Sequence, residues 1–175
     1  MIKIPEKEGR LSAAKAAHIE AVIAFVKRKT EGYRRDLFAN ISRVMLVSGT
    51  FEDMSARDDW SWLSDFILAD VKTLKQMIGR PELLQFDEFK RMYSDYFSAG
   101  SDKYVDASTK YNAYMFIENL GVTICPYCDE EYLDVVENGN GGKLRTLEID
   151  HFFPKGKYPA LAMCFYNLVP SGQNC

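Results

Sequence analysis

The stretch LEIDHFFPKGKYPALAMCFYNLVPSGQNC, residues 147–175, decides how this chain reads. Residues 145–149 spell a strand that leads directly into Asp150 and His151, and Pro154 turns the chain into a loop. A second strand is expected near Asn167-Leu168-Val169. Neighbouring side chains on a strand point to opposite sides. One member of the Asp150-His151 pair can therefore face a metal ion while the other faces a water. A carboxylate is a hard oxygen ligand, and an imidazole with an ordinary pKa of about 6.5 suits a general base. Taken alone, the pair also fits a solvated surface loop. Its weight comes from what surrounds it.

Upstream, the texture changes at Gly121. The segment VTICPYCDEEYLDVV, residues 122–136, suggests two short extended pieces separated by a knuckle, CPYC. The run NGNGG, residues 138–142, is a hairpin turn signal. The four cysteines, at 125, 128, 164 and 175, all lie in the C-terminal third. In a reducing compartment a close pair such as Cys125 and Cys128 points to metal binding rather than a disulfide. Cys164, in the apolar run ALAMCFY, reads as a buried cysteine. Lys143, Arg145, Lys155 and Lys157 flank the Asp-His pair and either hold phosphates or form a solvated charged face. Phe152, Phe153, Tyr158, Phe165 and Tyr166 read as core aromatics before base-stacking platforms.

In this order the pieces (CPYC, a strand and Gly-rich turn, LEIDHFFPKGKYP, then FYNLVPSGQNC) resemble the HNH superfamily of metal-dependent endonucleases over residues 121–175. The resemblance implies a ββα-metal fold stapled by a zinc knuckle. It makes Asp150 a ligand of the catalytic ion, Mg²⁺ or another divalent cation. It makes His151 the general base for phosphodiester hydrolysis, and Asn167 the residue that braces the histidine's loop. Cys125 and Cys128 become the first half of a Zn²⁺ site and Cys175 part of the second. Two departures accompany it. Gly172 stands where a second thiolate is expected, and three sulfurs do not close a tetrahedral structural site. The last ligand position falls beyond Cys175, so the final helix is expected to be truncated and the form ending there to be inactive. The function implied is DNA cleavage. The alternative is a degenerate, non-catalytic HNH or zinc module that binds nucleic acid or a protein. Small bacterial HNH nuclease subunits of anti-phage defence systems are similar in layout, which implies an ATPase or other defence-system subunit as a partner of the helical part.

Residues 1–120 carry no catalytic signature and read as successive helices. Apolar residues recur at threes and fours over 11–30, with Ser12 as N-cap, and again over 33–47 and 58–78. Asp87 is expected to cap a helix through Tyr96, and Ser108 one through Leu120, ended by Gly121. The expected fold is thus α+β, a helical domain over 1–120 and a small module over 121–175. Composition agrees with a folded chain: 47% hydrophobic, 27% charged, with 11 Phe and 10 Tyr to build a core. The net charge of −3 excludes a polycation that clings to nucleic acid everywhere, so DNA contact must come from a local basic patch or a metal ion. The N-terminus, MIKIPEKEGR, is charged, and no run approaches the roughly 18 apolar residues that span a bilayer. A cytoplasmic protein without membrane contact is expected.

Overall fold

Helix α1 (Arg10–Lys27) buries Ala14, His18, Ala21, Val22, Phe25 and Val26, one stripe at helical spacing. The computed structural model describes residues 9–49, 60–100, 102–137, 139 and 143–173. Gly9, left-handed at φ 86°, precedes α1, and Ser12, expected as its cap, lies within the first turn. Helix α2 (Glu31–Val47) starts two residues before the expected position. Thr30 is extended there, and its hydroxyl accepts the Tyr33 N–H.

The helix expected over 58–78 is two helices, α3 (Ser61–Ile67) and α4 (Val71–Met77); residues 58 and 59 lie outside the described ones. Asp70 makes the break. Its backbone is extended at ψ 169°, and its carboxylate accepts the Thr73 N–H at 2.8 Å. Helix α5 (Glu88–Met92) runs into a single π-helical turn, Tyr93–Phe97, closed by the Ser98 N–H on the Tyr93 carbonyl at 2.8 Å. Asp87 occupies the N-cap position of α5 but makes no side-chain cap bond. Helix α6 (Ala113–Leu120) is capped by Asn112, whose Oδ1 accepts from Tyr114 and Met115 N–H. Ser108 instead donates to Asp106. Gly121 ends α6 at φ 61°, a left-handed conformation suited to glycine.

Strands β1 (Val135–Glu137) and β2 (Lys143–Arg145) pair antiparallel on either side of the Gly-rich turn, most of which lies outside the described residues. Strands β3 (Leu147–His151) and β4 (Leu168–Gly172) also pair antiparallel, with Asp150 opposite Val169 and His151 opposite Leu168. Along β3, Leu147, Ile149 and His151 are buried while Glu148 and Asp150 are exposed. The chain between β3 and β4 makes two short 3₁₀ turns, Pro159–Leu161 and Phe165–Asn167.

The fold is α+β, and one buried cluster runs through both its halves, from Ala14 to Leu168. Phe116 of α6 packs edge-on against Phe165, with ring centroids 5.6 Å apart. Hydrogen bonds join the helices to the C-terminal segment. His18 Nε2–H donates to the Met163 carbonyl (2.8 Å), Tyr93 O–H to the Ile149 carbonyl (3.0 Å), and Cys164 S–H to the Phe66 carbonyl (3.5 Å). Among the described residues no helix is long and apolar enough to cross a membrane.

Candidate functional site

His151 closes β3 and points into the protein, 7% exposed. Its Nε2 lies 3.1 Å from the Ala162 carbonyl. A carbonyl only accepts, so Nε2 carries the proton and Nδ1 keeps its lone pair. The Tyr93 ring packs edge-on against the imidazole at 4.5 Å, and its own hydroxyl is held by the Ile149 carbonyl. Burial pushes the His151 pKa down to about 4, and Lys155 lowers it further; the Ala162 carbonyl and Asp150 act the other way. The ring is therefore neutral near pH 7, well below the ordinary value assumed from sequence. Burial is the physical reason for the difference.

Asn167 is fully buried and uses its whole amide. Its Nδ2 donates to the Phe153 carbonyl (3.1 Å) and the Leu161 carbonyl (2.9 Å), and its Oδ1 accepts the Phe153 N–H (2.6 Å). Its backbone carbonyl accepts the Phe152 N–H at 3.0 Å. The loop after His151 is thus fastened at both ends by one residue arriving from the start of β4. With those valences filled, Asn167 fixes geometry and leaves no donor for a substrate.

Asp150 lies on the opposite, exposed face of β3 from His151. Its Oδ2 accepts the Tyr127 hydroxyl at 2.8 Å. Tyr127 belongs to the CPYC knuckle, and burial, with the Asp150 carboxylate second, raises its pKa, so it remains a donor. Sequence reading missed Tyr93, Tyr127 and the Ala162 carbonyl as partners of the Asp-His pair. Only Tyr127 carried a signal, its place between two cysteines.

Cys125 is buried and Cys128 partly so. The Gly172 N–H donates to Cys125 Sγ at 3.3 Å. The position where a side chain at 172 would begin is filled by the Glu131 carboxylate, whose Oε1 also accepts the Gln173 N–H at 3.2 Å. Glu131 thus occupies the position where the resemblance implies a second C-terminal thiol. Cys175 lies outside the described residues. Among those described, no group of three or more His, Cys, Asp or Glu side chains is arranged to hold a metal ion. Cys164 is fully buried and its thiol pushed far up by desolvation, as befits a core residue.

The basic residues divide. Lys155 Nζ sits 4.7 Å above the Tyr93 ring, close to His151, and Lys157 Nζ lies 5.3 Å from the Tyr158 ring. Arg145 turns toward the helices, donating to Ser98 Oγ at 3.0 Å and lying 5.5 Å from the Tyr114 ring. The Lys143 side chain is outside the described part. Of the aromatics, Phe153, Tyr158 and Phe165 are buried, Tyr166 is partly buried, and Phe152 is 43% exposed.

No protein-family model matches the chain, and no curated protein or solved structure is significantly similar to it.

Proposed function

We propose that residues 121–175 form an HNH-type site and that the protein is a divalent-metal-dependent endonuclease acting on DNA phosphodiester bonds. One observation carries this reading. A neutral His151, its tautomer fixed by the Ala162 carbonyl, ends a strand whose antiparallel partner delivers Asn167 to brace the following loop. An unprotonated nitrogen, a fixed ring and a rigid support serve a general base, while the burial that holds the ring neutral also makes it a weaker proton acceptor than an ordinary imidazole.

In the proposed reaction, His151 Nδ1 takes a proton from water as the oxygen attacks phosphorus. The P–O bond to the leaving oxygen breaks, and that oxygen then takes up a proton from solvent. Asn167 keeps the loop and ring in register. Lys155, beside the imidazole, supplies a positive charge for a non-bridging phosphate oxygen. Asp150, an exposed carboxylate, fits a hard cation such as Mg²⁺ and is the residue that would hold it. Such a cation, when bound, stabilises charge on the phosphate and on the leaving oxygen. Cys125 and Cys128 fit half of a zinc site, since the Cys125 sulfur already accepts a backbone N–H of the kind that orients metal ligands. Cys175 would be a further ligand. On the same reading, a defence-system subunit such as an ATPase would dock on the helical part, by analogy of layout alone.

The second reading is a non-catalytic module that binds nucleic acid or a protein. It is favoured by the lack of a three-ligand group among the described residues and by Gly172 in place of a thiol. Supercoiled plasmid separates the two. The nuclease reading expects nicking or linearisation by the full-length protein with Mg²⁺ or Mn²⁺ and none with EDTA. It also expects Asp150→Ala to be partly rescued by raised metal concentration. DNA binding without cleavage under any divalent ion would establish the second reading.

A further inference from the structure

The CPYC knuckle reaches the Asp-His pair through Tyr127, 23 residues from Asp150 in sequence. The knuckle's own backbone is tightly set. The Asp129 N–H donates to the Cys125 carbonyl and the Cys125 N–H to the Glu131 carbonyl, each at 2.9 Å, and Leu133 N–H reaches the Thr123 carbonyl at 3.0 Å. Asp129 takes a left-handed φ of 57° to make the turn. The knuckle is also fastened to the sheet that carries Asp150. Cys125 Sγ accepts the Gly172 N–H of β4, and Gly172 pairs with Leu147 of β3, three residues before Asp150. The Tyr127–Asp150 hydrogen bond closes this circuit. Cys125, β4, β3, Asp150 and Tyr127 thus form a closed ring of contacts.

An exposed aspartate is otherwise free to rotate about two side-chain bonds, and a cation that binds it must first freeze them. With the phenol on Oδ2, the carboxylate plane is fixed and Oδ1 remains for a cation. We infer that Tyr127 is a positioning residue, through which the cysteine knuckle presents Asp150 to a divalent metal ion. The inference rests on the reading of Asp150 as a metal ligand. Hydrogen-bond partners of metal ligands typically contribute about 10–100-fold in metal affinity. Tyr127 is 41% exposed, which places its effect at the lower end.

The test is Mn²⁺ binding to the full-length protein, followed by loss of the free-ion EPR signal, for wild type, Tyr127→Phe and Asp150→Ala. Thermal unfolding of each protein serves as the control for the fold. Tyr127→Phe should weaken Mn²⁺ binding about tenfold while its melting temperature stays within about 2 °C of wild type, as for most surface changes. Asp150→Ala should lose measurable binding at the Mn²⁺ concentrations that saturate wild type. A Tyr127→Phe protein that binds Mn²⁺ like wild type, with Asp150→Ala still losing the site, overturns the inference and leaves the metal reading standing. Binding unchanged by Asp150→Ala, or absent in wild type, overturns the metal reading and the inference with it.

Discussion

His18 and His151 are the only histidines in the chain, and each donates Nε2–H to a backbone carbonyl of the segment joining β3 to β4, Met163 and Ala162 respectively. His18 also accepts the Tyr111 hydroxyl on Nδ1 at 2.9 Å and sits among the rings of Phe97, Phe116 and Phe165. Burial brings both pKa values down to about 4. In the unfolded chain each returns to about 6.5 and binds a proton the folded state refuses. Stability should therefore be complete above pH 6.5 and fall as the pH drops toward 4, by on the order of 3 kcal/mol per imidazole. Asp106 acts in a lower window. Hydrogen bonds, that of Ser108 first, hold its pKa near 2, so its contribution is lost only as the pH falls from about 4 through 2. Proton NMR checks the first window. Imidazole signals unchanged down to about pH 5 are expected, with a melting temperature that declines from pH 6.5 to 4. Either histidine titrating normally near 6.5 would contradict the account.

At the scale of elements, the caps carry distinct energies. Asp70→Ala should cost about 1 kcal/mol, because it removes one exposed N-cap bond to α4. Asn112→Ala should cost more, about 2 kcal/mol, because the side chain is buried and also donates to the Lys103 carbonyl, which would be left without that bond. Chemical denaturation of the two variants measures the order, and equal losses would show that burial of the cap is irrelevant. The same caps explain what the sequence reveals. Gly121 as a helix end and the strands around Asp150-His151 and Asn167 are legible, because each depends on local chemistry. The break between α3 and α4 is not. Leu63, Phe66, Ile67, Val71, Leu74 and Ile78 keep helical spacing straight across it, and the non-helical residues 68–70, with Asp70 extended, separate the two helices. The π turn at Tyr93 has no sequence mark either, and it is what carries Tyr93 to the face of His151. Tyr127 and Asp150 meet through tertiary contact, which periodicity does not report. The depressed pKa of His151 likewise follows from burial beneath Tyr93 and Ala162.

For the molecule as a whole, the helices and the C-terminal segment share their core, so they should unfold together. Cys164 is the probe: fully buried, it lies on the Phe66 carbonyl of α3. Thiol labelling across a denaturant series, with the modified cysteine located by peptide mapping, should place Cys164 reactivity on the same midpoint as tryptophan fluorescence from Trp60 and Trp62. Labelling of Cys164 well before the fluorescence change would mean that the C-terminal segment melts by itself. This shared packing also gives the helical part a share in the site, since Tyr93 holds one side of the imidazole while Asn167 holds the loop. The claim on which the functional account turns is that this imidazole is the base. Its most direct test is the single-turnover rate of plasmid cleavage by full-length wild type and His151→Ala at saturating Mg²⁺, measured from pH 5 to 8. The account predicts a rate roughly 10²–10⁴-fold lower for His151→Ala, not restored by added metal, and a wild-type profile with no inflection near 6.5. Equal rates for the two proteins across that range would contradict it.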